Sequence, residues 1–164
     1  MEVTYTKKVH GKPQEFNMQI IKHKDYFEIN CLAESKEQMG FITFGIKQNN
    51  KYAWLYKIET NKKFFNQGIA SAVLDVAEYI IVKNGIKRIE GVFLPSNDAA
   101  RPFYEKNGFF VPNKTKSWDS YDPFWIISKD LNAQAIQQKV GPNLMPCQGS
   151  SLIPQYWQNS NFVI

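Results

Sequence analysis

The sequence predicts a mixed α/β fold, and three observations carry that prediction. The first half reads as successive strands, residues 68–83 switch to a helical period, and a further strand at 87–94 follows that helix. The 164 residues suit one domain of ordinary size. A hydrophobic fraction of 43%, with twelve phenylalanines, supplies a core and argues against disorder.

Taken in order, "MEVTYTKKV" (1–9) is one strand candidate. "EFNMQIIKH" (15–23), "YFEINCLAE" (26–34), "GFITFGIKQ" (40–48) and "YAWLYKIET" (52–60) are rich in aromatic and β-branched residues. Turns as short as "HKD" leave no room for crossovers, so these strands form an antiparallel meander. From Gly68 the apolar residues fall at Ile69, Val73, Val76, Ala77, Ile80 and Ile81, one face of a helix running to about Lys83, with Gly85 as its stop. "KRIEGVFL" (87–94) is a buried strand. A parallel pairing of 52–60 with 87–94 through a right-handed crossover follows. "PSNDAARPFYEKNGF" carries capping residues Ser96, Asn97 and Asp98 and a short helix closed by Asn107-Gly108. "FFVP" and "DPFWIISKDL" complete the set as strands.

Residues 1–130 thus form the domain, and 131–164 change character, being rich in Gln, Asn and Pro and almost free of charge. Leu152, Ile153, Tyr156, Trp157, Phe162 and Val163 would be costly in water. This C-terminal arm is expected to dock on the same or a neighbouring subunit, leaving a homodimer open.

Several function classes are disfavoured. No apolar run reaches the roughly 20 residues a membrane helix needs, and "MEVTYTKKVHGK" lacks the apolar core of a signal peptide, so a cytoplasmic protein is expected. Cys31, Cys147, His10 and His23 have no metal-ligand spacing, so no metal is expected. The net charge of +5 is spread along the chain without a basic block, so no nucleic-acid partner is expected.

The informative stretch is "KIETNKKFFNQGIASAVLDVAEYI" (57–80). A glycine at a helix start costs about 1 kcal/mol relative to alanine. A strand running into such a helix is suited to an anion, since free N–H groups and the positive end of the helix dipole meet there. Gln67, Gly68, Ile69, Ala70 and Ser71 supply the donors; the competing reading is a glycine that eases packing of helix on sheet.

Residues 40 to about 130 resemble the GNAT superfamily of acyl-CoA-dependent N-acetyltransferases. The family's cofactor motif, Gln/Arg-x-x-Gly-x-Gly/Ala, aligns with Phe65-Asn66-Gln67-Gly68-Ile69-Ala70. Its second signature aligns with "SNDAARPFYEKNGF", with Asn97, Tyr104, Gly108 and Phe109 in register. The resemblance implies a mostly antiparallel central sheet in which the parallel pair 52–60 and 87–94 splays apart, with flanking helices.

It also implies that acetyl-CoA lays its pyrophosphate on the N–H groups from Gln67 to Ser71, with Lys62 and Lys63 adding charge. The pantetheine arm would bond backbone near Ile58 and Thr60, where an N–H would also polarise the thioester carbonyl. Asn97 would hold the cofactor, and Tyr104 would protonate the departing thiolate. Glu59 and Glu90 are the candidate general bases; some relatives carry a catalytic glutamate at the position of Val92, two residues beyond Glu90 on the same strand face.

Three departures stand out. Phe65 replaces the polar residue that opens the motif, Pro102 sits inside the second helix, and the two helices that usually follow the first strand are absent before residue 40. The expected activity is acetyl transfer from acetyl-CoA to a primary amine of a small molecule or peptide. A non-catalytic acyl-CoA-binding relative is the alternative.

Overall fold

The computed structural model describes residues 1–47, 49, 51–94, 99–112 and 125–147. Its elements run β1 (Glu2–Val9), β2 (Lys12–Lys22), β3 (Phe27–Leu32), β4 (Gln38–Ile46) and β5 (Ala53–Thr60), then a 3-10 turn (Lys62–Phe64). They continue as α1 (Ile69–Lys83), β6 (Arg88–Phe93), α2 (Arg101–Lys106), β7 (Trp125–Asp130), α3 (Ala133–Val140), a second 3-10 turn (Gly141–Asn143) and β8 (Leu144–Pro146).

All eight strands join one sheet in the order β7-β6-β5-β4-β3-β2-β1-β8. Among the described strands only β5 and β6 pair in parallel, as the crossover through α1 requires. Between β1 and β4 the chain makes turns alone, without a helix. β2 begins at Lys12, three residues earlier than its composition suggests. The reason is the turn: His10 and Gly11 both have positive φ, 50° and 77°, which closes a two-residue hairpin and pairs Val9 with Lys12 at once. Pro13 is tolerated because β3 pairs with β2 only from Asn17 onward.

The period-2 pattern puts Val3, Tyr5, Phe16, Met18, Ile20, Phe27, Ile29, Ile42, Phe44, Leu55 and Ile89 on one buried face beneath α1. Cys31 belongs to that core, and burial pushes its thiol up to about 12. α1 is buried from Ala72 through Val82, since α3 covers the side that the sheet does not.

One local expectation changes. "FFVP" forms a single bridge, Phe110 with Ser128, rather than a strand. The segment after Leu131 folds as α3 against α1 and as β8 against β1, where Val3 faces Pro146 and Tyr5 faces Leu144. The arm residues 148–164, with Leu152, Tyr156 and Trp157, lie outside the described residues.

β5 and β6 share only three residue pairs, from Ala53–Ile89 to Leu55–Gly91. At that point the register of β4 on β5 jumps from Thr43–Lys57 to Phe44–Leu55, which makes Tyr56 the extra residue of a bulge. A bulge bends and twists its strand. Residues 56–60 therefore keep β4 on one side and turn away from β6 on the other.

Candidate active site

The free edge of β5 leads into the loop before α1. Asn61 starts the 3-10 turn, its side chain accepting from the N–H of Lys63 at 3.1 Å. Asn66 and Gly68 then take left-handed conformations, φ 63° and 76°, positions that Asn and Gly occupy at least cost. Gly68 is the N-cap of α1 and so precedes the first turn. A Cβ on it would lie 2.8 Å from Val9 Cγ2. The bare backbone thus serves both the φ angle and the seat of Val9, and its missing side chain faces the hairpin. His10 Nε2 meets the carbonyl of Asn66 at 3.2 Å, a second tie from that hairpin.

Ala72 is the residue whose N–H first reaches a helical carbonyl, that of Gly68 at 2.9 Å. The N–H groups of Ile69, Ala70 and Ser71 come earlier and have no acceptor within the helix. The first turn contains no acidic residue. Opposite stands α2, where Pro102 occupies the first turn, in which a missing N–H costs nothing. Gly108 at φ 84° ends α2, and the N–H of Phe109 returns to the carbonyl of Tyr104 at 2.9 Å. Tyr104 is buried between the rings of Phe103 and Phe109, each 5.4 Å away edge-on. Burial raises its hydroxyl pKa above the ordinary tyrosine value.

These pieces enclose a cleft of about 480 Å³. Of the residues named from the sequence, Ile58, Glu59, Thr60, Phe65, Asn66, Gln67, Gly68, Ile69, Ala70, Ser71 and Tyr104 all line it. Asn97 lies outside the described residues. Glu90 is not brought to the cleft: it pairs with Arg88 Nε at 2.9 Å, and its backbone is held between Trp54 and Ser128. Glu59 also borders a second, smaller cleft with Gln38, Phe41 and Asn61, and its carboxylate meets Lys57 Nζ at 2.8 Å. Lys63 turns to Glu37 at 3.0 Å, and neither Lys62 nor Lys63 lines the main cleft.

Sequence reasoning passed over Phe64, Ala100, Phe103, Lys106 and Asn107, which also line it. Asn107 stands three residues after Tyr104, on the same helix face, and that spacing is the signal that would have found it. Among the described residues no three His, Cys, Asp or Glu side chains cluster to hold a metal. Among the described residues no helix is long and apolar enough to cross a membrane.

The donor set fits a phosphate-bearing cofactor: three N–H groups without an acceptor in the helix, no acidic residue in the first turn of α1, and a cleft that continues along a β5 edge with no strand partner among the described residues, toward a buried tyrosine. The comparisons with known proteins agree. PaiA N-acetyltransferase from Thermoplasma acidophilum, solved in complex with coenzyme A, is 27% identical over 65% of this chain, with a TM-score of 0.54; the match spans 61% of PaiA's own length. An acetyltransferase from Bacillus anthracis in complex with acetyl coenzyme A shares 16% identity over 79% of this chain and 87% of its own, TM-score 0.59. The ribosomal-protein-S18-alanine N-acetyltransferase of Escherichia coli shares 20% over 68% of this chain and 72% of its own, TM-score 0.55. No curated protein sequence matches the chain. The profile of the acetyltransferase (GNAT) family matches residues 3–109, well over half of the sequence, and the chain belongs to that family.

Proposed function

We propose that this protein is an N-acetyltransferase that moves the acetyl group of acetyl-CoA to a primary amine by direct attack. One observation carries the reading: the N-terminal turn of α1, the unpaired half of β5 and the buried Tyr104 converge on a single cleft. Acetyl-CoA supplies the activated acyl carbon and a thiolate leaving group.

The chain's residues do the rest. The N–H groups of Ile69, Ala70 and Ser71 bind the pyrophosphate, with the left-handed loop through Asn66 and Gly68 setting their direction. Beyond the Tyr56 bulge, the free β5 edge at Ile58–Thr60 presents backbone groups to the pantetheine arm, and an N–H there stabilises the developing oxyanion. Glu59 accepts the proton of the attacking amine. The C–N bond forms as the C–S bond breaks, and Tyr104 gives its proton to the departing sulfur. That hydroxyl, its pKa raised above the ordinary tyrosine value by burial, carries its proton at neutral pH, as an acid requires. The acceptor is a primary amine of a small molecule or peptide.

Calorimetric titration with acetyl-CoA tests the cofactor site. Ala70 is the residue to change, because Gly68 substitutions fail through Val9 whatever binds. Ala70→Glu places a carboxylate among the anion donors and should weaken binding by at least about tenfold, equivalent to about 1.4 kcal/mol. Unchanged affinity in a folded variant would remove the cofactor from this turn.

A further inference from the structure

Ser71, the third residue of α1, lines the cleft, and its hydroxyl is already engaged on both sides. Its oxygen accepts from Lys7 Nζ at 2.7 Å, and its proton goes to Asn107 Oδ1 at 3.2 Å. Lys7 reaches it from β1, on the inward side of the strand shared with Tyr5 and Val3. The same ammonium lies 2.7 Å from Asp75 Oδ2, one helical turn further along α1.

Asp75 has more partners than its charge requires. Its buried carboxylate also accepts from the hydroxyl of Tyr5 at 2.9 Å and from Lys139 Nζ of α3 at 3.0 Å. Two ammonium groups therefore face one carboxylate. The nearby Glu78 does not absorb the surplus, because Lys129 meets it at 2.6 Å. Among the described residues, Lys7, Lys129 and Lys139 thus face Asp75 and Glu78, with one positive charge in excess behind the first turn of α1. Solvent screens the Lys139 ammonium, whose side chain is 59% exposed, whereas the Lys7 side chain is only 17% exposed and its charge is screened poorly.

We propose that Lys7 is a positioning residue for the cofactor: its ammonium locks the Ser71 side chain and adds a fixed positive charge behind the N–H groups that receive the pyrophosphate. This rests on the cofactor reading of the preceding subsection. The Ser71 hydroxyl is spent on Lys7 and Asn107, so Ser71 serves the phosphate through its backbone N–H. Lys139 remains to neutralise Asp75 when Lys7 is removed, which lets the two roles of Lys7 be separated.

The test is calorimetric titration of wild type, Lys7→Met and Lys7→Arg with coenzyme A, dephospho-coenzyme A and pantetheine, at low and high salt, beside the ligand-free melting temperature of each variant. For Lys7→Met, affinity for coenzyme A should fall about tenfold at low salt, with the gap narrowing as salt rises. Dephospho-coenzyme A, which keeps the pyrophosphate but lacks the 3′-phosphate, should lose the same factor. Pantetheine, which has no phosphate, should lose nothing, and Lys7→Arg should restore most of the affinity. A loss confined to coenzyme A would put the charge on the 3′-phosphate and overturn the assignment, and an equal loss for pantetheine would reduce Lys7 to shaping the cleft. Wild-type-like binding by Lys7→Met would refute this inference alone, whereas failure of wild type to bind coenzyme A would refute the reading beneath it.

Discussion

Replacing Gly68 by alanine isolates the physical demand at the start of α1. Two costs add. At φ 76° an L-residue meets the left-handed penalty, about 1–2 kcal/mol. The new methyl would also lie 2.8 Å from Val9 Cγ2 and 3.3 Å from Val9 Cγ1. Valine is short and branched at Cβ, so it has no free rotor with which to withdraw, and overpacking of this kind costs about 1–3 kcal/mol. Gly68→Ala should therefore destabilise the protein by about 2–5 kcal/mol in total.

The two contributions come apart in a double-mutant cycle with Val9→Ala. Trimming Val9 removes the clash and leaves the φ penalty, so the double variant should recover about 1–3 kcal/mol relative to the sum of the single changes. Urea denaturation with unchanged slopes is the measurement. Additive effects would mean that Val9 does not press on Gly68. A cost for Gly68→Ala below about 0.5 kcal/mol would refute the left-handed cap altogether.

Two further outcomes are expected. Tyr104→Phe keeps the ring between Phe103 and Phe109 and removes the hydroxyl proposed as the acid, so kcat should fall by on the order of 100-fold while the dissociation constant for coenzyme A stays nearly constant; a parallel loss of affinity would make the hydroxyl a binding group instead. The hydroxyl pKa values of Tyr5, Tyr79 and Tyr104 are all raised in the folded state from the ordinary 10.0, chiefly by burial, with Asp75 adding to the rise at Tyr5. Their folded values lie above the unfolded ones, so their contribution to stability is complete below about pH 10 and is lost as pH rises beyond it; tyrosinate absorbance should then appear cooperatively with alkaline unfolding, and gradual titration of these three in the native protein would contradict their burial.

The meander, the long helix and the parallel pair were legible because each rests on local pattern: alternation in "FNMQI", the helical spacing of Val73, Val76 and Ile80, and turns too short for anything but hairpins. One wall of the cleft was legible for the same reason, since residues 65–71 are contiguous. What was not legible depends on distant partners. Glu90 and Glu59 look alike on their strands, and only the fold shows Arg88 beside the first and the cleft beside the second. The Tyr56 bulge arises from register between β4 and β5, which no single segment encodes. "FFVP" has strand composition, but Phe110 makes its only bridge to Ser128 among the described residues. In the arm, "AQAIQQKV" has only modest apolar content, yet it folds as α3 because α1 offers it a surface.

The absence of helices in the first third of the chain has a structural counterpart. With β1 and β2 joined by two residues, the hairpin extends far enough for its tip to reach the loop before α1. Lys7, Val9 and His10 each hold one position there: Lys7 bonds Ser71, Val9 fills the space left by Gly68, and His10 meets the carbonyl of Asn66. The turn that opens α1 is thus braced by the end of the β1–β2 hairpin. Strand β1 is in turn flanked by β2 and by β8, the last described strand. On the proposed function, cofactor affinity and the stability of this sheet edge are therefore coupled: a change that frays β1 at Val9 should also loosen the N–H groups at Ile69, Ala70 and Ser71, although none of those residues is touched.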